Sequence, residues 1–292
     1  RRRILVKIIA KLRRPVGPFF PGWVIGMILL VSAAPGSASD LTGHFIQGGL
    51  LFGEAAPGTR VTYQGRSLRV SPKGRFIIGL DRDASLASVF EVHHPDGASE
   101  SHPLIIDARE YDIQRIDGLP PRKVDPAPED LARIRAEAAL VQTARKRDDP
   151  RTDFIEGFIW PVTGRITGVY GSQRILNGKP RRPHYGVDIA APTGTPVKAP
   201  ADGVVSLVHP DMFYSGGTLI LDHGHGLSSS FLHLHRIRVR EGQAVRRGSI
   251  IAEVGATGRV TGPHLDWRMN WFDQRIDPTL LVGPMPGDGE QE

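Results

Sequence analysis

The sequence predicts a mainly β protein in which one helix connects two β domains. Short runs rich in β-branched and aromatic residues alternate with turn residues over positions 40–119 and again over 154–284. Between them lies an alanine-rich, charged stretch typical of a helix. The 292 residues are enough for two modest domains. We therefore expect a small N-terminal domain resembling a β-sandwich, a linker helix and a compact all-β C-terminal domain.

Residues 1–39 have the layout of an export signal. Seven basic residues and no acidic one precede Asp40, and the apolar run WVIGMILLVSAA is followed by small residues at PGSAS. This apolar run is shorter than the roughly 20 residues of a typical membrane span. The segment is predicted to be a signal peptide, with an uncleaved membrane anchor as the alternative. We therefore expect a periplasmic or otherwise exported protein that contacts a membrane only through this segment, if at all.

Charge and cysteine content argue against two classes of function. Although the formal net charge is +6, the residues from Asp40 onward carry 30 basic and 31 acidic side chains. This balance gives no support to a basic surface that follows nucleic-acid phosphates, and we expect no nucleic-acid partner. The absence of cysteine excludes thiol nucleophiles and cysteine zinc sites.

The regions before the C-terminal domain carry no chemical motif. The turn-separated runs over 40–119 are typical of a small antiparallel sandwich. Over 120–153, a proline-rich linker leads into a helix that starts near Pro128 and ends in three basic residues, 145–147. We expect the N-terminal domain to position or cover a groove in the C-terminal domain. The helix is expected to pack on one side through a narrow apolar stripe formed by Leu131, Ile134, Ala138 and Val141.

The C-terminal domain, 154–284, is predicted to contain many short strands joined by tight turns, with 285–292 as a frayed tail. Its stretch TGPHLDWRMNW has polar residues at even positions and apolar residues at odd ones. This period of two is typical of a strand with one face on a core and the other facing water or a groove. His264 and Asp266 then lie on the same open face. The odd positions are predicted to anchor the strand in the core, namely Leu265, Trp267, Met269 and Trp271.

Three motifs of this domain combine histidine with aspartate. HYGVD places His184 four residues before Asp188, FLHLH carries His233, and GPHLD pairs His264 with Asp266. Imidazole and carboxylate groups are the ligands that a zinc site without cysteine must use. The motifs therefore indicate a metal site.

This ordered set of motifs resembles the lysostaphin/LytM-type zinc peptidases, which cut cell-wall peptides. The resemblance covers roughly residues 157–283, including RRPHYGVDIAAPTGTPVKAPADGVV, GGTLILDHGHGLSSSFLHL and VRRGSIIAEVGATGRVTGPHL. It implies a LytM-type fold for this domain, with His184 and Asp188 as zinc ligands and His233 and His264 as catalytic histidines beside the metal. The resemblance also implies that peptidoglycan is the substrate.

The chain departs from the family at one ligand, because the last histidine of the family's G-P-H-L-H motif is Asp266 here. In one account Asp266 replaces that histidine, since a carboxylate oxygen is a legitimate zinc ligand. In a second account the site has lost its metal and the domain only binds. In a third, His235 supplies the missing ligand. We favour the first account.

The prediction that follows is an exported zinc metalloendopeptidase that hydrolyses the peptide cross-links of peptidoglycan. Tyr170 and Arg174, in VYGSQR, are candidates to line the substrate groove. The alternative is a catalytically silent domain of the same type that binds the wall or activates another wall hydrolase. A lipoyl- or biotinyl-type carrier is disfavoured, because neither Lys179 nor Lys198 lies in a suitable hairpin tip.

Overall fold

The computed structural model describes residues 41–116, 127–176 and 178–286. The predicted signal segment, most of the proline-rich linker and most of the C-terminal tail lie outside the described residues. Within the described part, no helix is long and apolar enough to cross a membrane. The described residues belong to one compact unit.

The N-terminal β region is built from two antiparallel sheets, of order β1-β2-β5 and β4-β3-β6-β7. The arrangement is compatible with the predicted sandwich. A further strand, Ile113–Ile116, leaves this region and pairs in parallel with residues Gln173–Leu176 of the C-terminal region. The strands are β1 (Leu41–Gly43), β2 (Leu50–Glu54), β3 (Arg60–Tyr63), β4 (Arg66–Leu68), β5 (Arg75–Gly79), β6 (Ala87–His93), β7 (Ser99–Ile105) and β8 (Ile113–Ile116).

One hydrophobic core runs through both β regions. The two regions approach closely at Gly79 on β5, where an added Cβ would lie 2.6 Å from Cβ of Trp271 and 3.0 Å from Cδ1 of Ile276. Only a residue without a side chain fits at this point. The N-terminal region is therefore packed firmly on the C-terminal region.

The predicted linker helix is present as α1 (Leu131–Arg145), after a short 3-10 helix at Pro128–Asp130. Its buried residues are Glu137 and Ala144, and Val141 packs beside Ala144. The predicted stripe was wrong at Ala138, which is exposed. Glu137 is buried because its Oε2 accepts a 2.8 Å hydrogen bond from the backbone N–H of Phe213. The packed side of the helix therefore includes the hydrogen-bonded side chain of Glu137, whereas the sequence pattern predicted that Ala138 would pack there.

The C-terminal region is all β apart from a 3-10 helix at Pro278–Leu281, which confirms the predicted fold class. Its main sheet has the order β18-β14-β15-β16-β20-β12-β9, with β21 also paired to β20, and a smaller sheet has the order β13-β19-β17. The strands are β9 (Ile166–Gly168), β10 (Gln173–Leu176), β11 (Lys179–Pro180), β12 (Val187–Ala190), β13 (Pro196–Lys198), β14 (Gly203–Met212), β15 (Gly216–Gly224), β16 (Leu227–Leu234), β17 (Arg236–Ile237), β18 (Ala244–Val245), β19 (Ile250–Glu253), β20 (His264–Trp271) and β21 (Gln274–Ile276).

The predicted alternation along β20 is confirmed on its apolar side, where the four odd-numbered side chains are buried in the core. The opposite side, called here the polar face of the main sheet, is less open than expected. Asp266 is only 2% exposed and Asn270 is fully buried. Helix α1 covers part of this face, because Val141 and Ala144 pack on Leu207, Met212 and Ile220 of β14 and β15.

Candidate metal centre

Three side chains with metal-binding atoms meet on the polar face. One ligand atom each from His184, Asp188 and Asp266 lie within 4.8 Å of one another. Asp188 of β12 and Asp266 of β20 are direct antiparallel partners. His184 lies just before β12, and its backbone is fixed by hydrogen bonds to Gly171 and Ser172, of 2.7 and 2.8 Å.

This arrangement is electrostatically incomplete without a cation. Like charges directly opposite in a strand pair destabilise a sheet. The pKa of Asp188 is raised because of burial and because of the charge of Asp266. His184 Nε2 and Asp188 Oδ1 lie 3.3 Å apart, yet both atoms are buried without a hydrogen-bond partner. Buried polar atoms are normally satisfied, so these two are well suited to hold a metal ion.

Arg268 holds the third ligand in place. Its Nε donates hydrogen bonds of 2.9 and 3.0 Å to the two carboxylate oxygens of Asp266. Burial raises the pKa of Asp266, but the charge and hydrogen bonds of Arg268 outweigh burial and lower the pKa from 3.8 to about 2. A carboxylate has about four lone-pair sites, so Asp266 can accept from Arg268 and still bind a metal. Hydrogen bonding of a ligand in this way is usual at metal sites.

Two glycines make room for the carboxylates. A Cβ added at Gly168 would lie 2.9 Å from Cγ of Asp188. A Cβ added at Gly186 would lie 2.7 Å from Oδ1 of Asp266 and 2.5 Å from Cγ of Arg268. Neither glycine has a left-handed backbone, so glycine is needed at these two positions only because a side chain would collide with the carboxylates or with Arg268.

The two predicted catalytic histidines lie side by side at the same place. The ring centres of His233 and His264 are 4.9 Å apart, and His264 Nε2 lies 3.7 Å from Asp188 Oδ1. Nδ1 of each ring is 2.9 Å from a backbone carbonyl oxygen, that of Thr257 or of Gly262. Because a carbonyl can only accept, Nδ1 carries the proton in both rings, and Nε2 of the neutral ring is free to act as an acceptor.

His233 reaches the site through a local distortion of β16. Leu219 pairs with Phe231, whereas Gly217 pairs with Leu234, so β16 carries one extra residue opposite β15. His233 itself has a left-handed φ of 64°. Regular alternation would place it on the core side with Phe231, and the bulge changes this direction. Bulges and strained backbone of this kind are common beside active sites. Burial lowers the pKa of His233, which favours the neutral ring.

The donor set fits zinc. One imidazole nitrogen and two carboxylate oxygens are suitable zinc ligands, and three protein ligands leave a position open for water. The two unsatisfied buried atoms and the opposed carboxylates support this fit. His235 is exposed and is not part of the group, which removes the support for the third account of the missing ligand.

The two predicted substrate residues are placed differently. Tyr170 is 3% exposed, and its hydroxyl donates a 2.6 Å hydrogen bond to the backbone carbonyl of Arg275. Its ring packs against Tyr111 of the N-terminal region. Tyr170 therefore has a packing role in this structure. Arg174 lies on β10, and its side chain is outside the described part.

Sequence reasoning missed Arg268. The signal was present in the same strand, because the period of two that joins His264 to Asp266 also places Arg268 on that face. An arginine two residues from a carboxylate on one strand face is a candidate ion pair.

Comparison with known proteins agrees with this geometry. The model of peptidase family M23 matches residues 182–278, which include the three metal-binding side chains and both histidines. A crystal structure of a putative peptidase M23 from Pseudomonas aeruginosa is 32% identical, with a TM-score of 0.65, and the match covers 82% of this chain and 95% of that chain.

The chain belongs to peptidase family M23. This confirms the family predicted from the motifs. Curated relatives in the family include the peptidoglycan DD-endopeptidase ShyB of Vibrio cholerae, 41% identical over 119 residues, or 40% of this chain. The DD-carboxypeptidase/endopeptidase Mpg of Neisseria meningitidis is 40% identical over 105 residues, or 36% of this chain. The match spans only 24% of the length of each of these two relatives.

Proposed function

We propose that this protein is an exported zinc metalloendopeptidase that hydrolyses peptide cross-links of peptidoglycan. Membership of the M23 family supports the peptidase activity, and the names of the curated relatives support the wall substrate. Export rests on the sequence of residues 1–39 and on the need to reach the wall.

The observation that carries the proposal is the pair of unsatisfied ligand atoms. His184 Nε2 and Asp188 Oδ1 are buried without partners, directly beside a second carboxylate that faces Asp188 across the strand pair. A binding surface for peptides would not need two opposed, buried carboxylates. A divalent cation held by His184, Asp188 and Asp266 would compensate the carboxylate charges.

The residues of the candidate site have different roles in amide hydrolysis. His184, Asp188 and Asp266 would hold zinc, which supplies an acidified water and polarises the scissile carbonyl. His233 and His264 present Nε2 of neutral rings, and one ring accepts the proton of the attacking water. The other ring would take a proton from solvent at Nε2 and donate a hydrogen bond to the oxygen that becomes negative.

One observation favours the alternative, a silent domain that binds the wall or activates another hydrolase. Arg268 already occupies both oxygens of Asp266. If this ion pair excludes the metal, the domain keeps the fold without the chemistry. The experiment must therefore separate these two outcomes.

The test is the zinc content of the purified full-length chain, measured by elemental analysis, together with release of soluble fragments from purified cell walls. The variants are Asp266→Ala and Asp266→His, with Asp273→Ala as the control because Asp273 is an exposed aspartate on the same hairpin. We expect about one zinc per chain and wall digestion in the wild type and the control, as an open catalytic site requires. Both should be lost in Asp266→Ala.

The opposite result identifies a silent relative. If the wild type holds no zinc and digests no wall, and only Asp266→His binds the metal, the peptidase proposal is wrong. The protein would then be a wall-binding member of the M23 family.

A further inference from the structure

Three arginine side chains gather beside Asp266 on the polar face. Arg268 lies on β20, Arg275 lies on β21, and Arg145 is the last residue of α1. They are called here the arginine cluster.

Strand pairing explains why these side chains converge. Asn270 is two residues beyond Arg268 on β20 and pairs directly with Arg275 on β21, so the three side chains are on the same face. On the other flank of β20, Ser230 pairs with Arg268. The hydroxyl Oγ of Ser230 accepts a 3.1 Å hydrogen bond from Arg145 Nη2. The end of the linker helix thus brings a third cation over the sheet.

The arginine cluster is only partly ion-paired among the described residues. Asp266 binds Arg268, and it is also the third candidate metal ligand. Arg275 Nη1 donates only to the neutral amide of Asn270, over 3.4 Å. Among the residues that the structure describes, no carboxylate forms an ion pair with Arg145 or Arg275, and Arg145 Nε is buried without a hydrogen-bond partner.

A second aspartate near Arg275 is already engaged elsewhere. Oδ1 of Asp81 accepts hydrogen bonds from the backbone N–H groups of Arg82 and Arg275, over 2.7 and 3.2 Å. It therefore fixes the backbone of β21 rather than the guanidinium group. The charge of Asp81 favours the charged form of Arg275, but the hydrogen bonds to Asp81 Oδ1 come from backbone N–H groups.

Such a cluster is costly unless an anion joins it. Burial and the charges of Arg275 and Arg268 lower the pKa of Arg145. A guanidinium group nevertheless stays charged in a protein, so the repulsion persists. Burying an unpaired charge is unfavourable, and a carboxylate bound to arginine removes much of that cost. All three residues are half-buried, and the side chain of Arg268 is 25% exposed, which gives access from solvent beside the metal-binding side chains.

We infer that Arg145 and Arg275 form a binding site for a carboxylate group carried by the wall peptide, next to the hydrolytic centre. The inference rests on the proposed function for the identity of the substrate. Arg268 stays with Asp266, while the other two arginines bind the anionic group and fix the position of the peptide. The linker helix thus contributes a substrate-binding residue.

The experiment measures peptide binding without catalysis. The full-length chain is stripped of metal and moved into buffer without chelator, because chelators carry carboxylates themselves. Isothermal titration then compares a synthetic wall tetrapeptide with the same peptide whose carboxylates are converted to carboxamides. We expect the carboxylate form to bind the wild type about tenfold to a hundredfold more tightly, as for a hydrogen bond to a charged group. Sodium acetate is the third probe, and it should bind far more weakly than the peptide.

Two variants and one control assign the preference to the named residues. Arg145→Gln and Arg275→Gln should each bind both peptide forms with nearly equal affinity. Arg135→Gln should keep the preference, because Arg135 is an exposed arginine on the same helix. Circular dichroism and the thermal midpoint check folding of each variant, and the comparison of the two peptides on the wild type needs no variant.

The inference fails if the wild type binds the two peptides equally, or if both glutamine variants keep the preference. Acetate binding as tight as the peptide would also overturn it, since the site would then be a general anion site. Zinc content is measured on the same preparations before the metal is removed. A carboxylate preference without zinc would reject the peptidase proposal and leave this site standing, whereas zinc and wall digestion without the preference would reject only this site.

Discussion

Replacing Arg268 with glutamine in the zinc-free protein is expected to lower the free energy of unfolding by about 2 kcal/mol at pH 7. The figure follows from Asp266, whose pKa is lowered from 3.8 to about 2 by the charge and hydrogen bonds of Arg268 against the effect of burial. A pKa difference of one corresponds to roughly 1.4 kcal/mol. Without Arg268, the two carboxylates of the strand pair face each other with no cation between them.

The assay is urea unfolding of metal-free protein, followed by fluorescence, supported by the thermal midpoint, which should fall by about 4–8 °C. Arg238→Gln is the matched control, because Arg238 pairs with Glu253 at an exposed position and exposed ion pairs contribute little. Saturating zinc should reduce the deficit, since a bound cation replaces the missing positive charge. If Arg268→Gln is as stable as the wild type without zinc, Arg268 is not the counter-charge of Asp266 and the electrostatic reasoning is wrong.

Three further predictions test other parts of the site and the core. Gly168→Ala should weaken zinc binding about tenfold to a hundredfold, because the new methyl group displaces a ligand carboxylate. Gly283→Ala is the control and should not weaken zinc binding, because the space around Gly283 is open. Titration with a competing chelator measures the zinc affinity of both variants. His233→Ala and His264→Ala should keep zinc but lose about 10²- to 10⁴-fold in the rate of wall digestion, and loss of zinc in either variant would contradict a purely catalytic role. Burial lowers the pKa of His223 from 6.5 to about 4, so its contribution to stability is present above pH 6.5 and is lost as the pH falls to about 4. Unfolding at pH 7 and pH 4 should show a pH dependence about 3 kcal/mol larger in the wild type than in His223→Gln, and equal dependence would be the negative result.

The alternation along β20 predicted the burial of some of its side chains correctly and of others incorrectly. Alternation is a property of the extended backbone, so the sequence alone placed the odd residues in the core and His264 and Asp266 on one face. The same reasoning predicted an open polar face, and that was wrong for Asp266 and Asn270, which are buried. Part of that face is covered by α1, a distant segment whose packing position is not encoded in the alternation along β20.

The ligand chemistry followed from residue types, and the family followed from the order of the motifs. The absence of cysteine and the pairing of imidazole with carboxylate indicated a metal site, and the resemblance of the motifs to the family implied His184 and Asp188 as ligands, with Asp266 at the position of the third. Their meeting requires the direct pairing of β12 with β20. Strand pairing between segments almost 80 residues apart is a long-range interaction, and no local pattern specifies its register.

The sequence by itself determined the β architecture, the M23 family and the residues able to bind a metal, because strand periodicity, turn residues and ligand chemistry are local properties of the chain. Only the tertiary structure decided that Arg268 holds Asp266, that a bulge and a left-handed backbone bring His233 to the site, and that Tyr170 packs against the N-terminal region. Only the tertiary structure also brought Arg145 from the linker helix to the polar face beside Arg275. Apart from the Arg268–Asp266 pair, whose residues share one strand, each of these depends on the approach of distant segments, where burial and unpaired charge, rather than local propensity, set the energy.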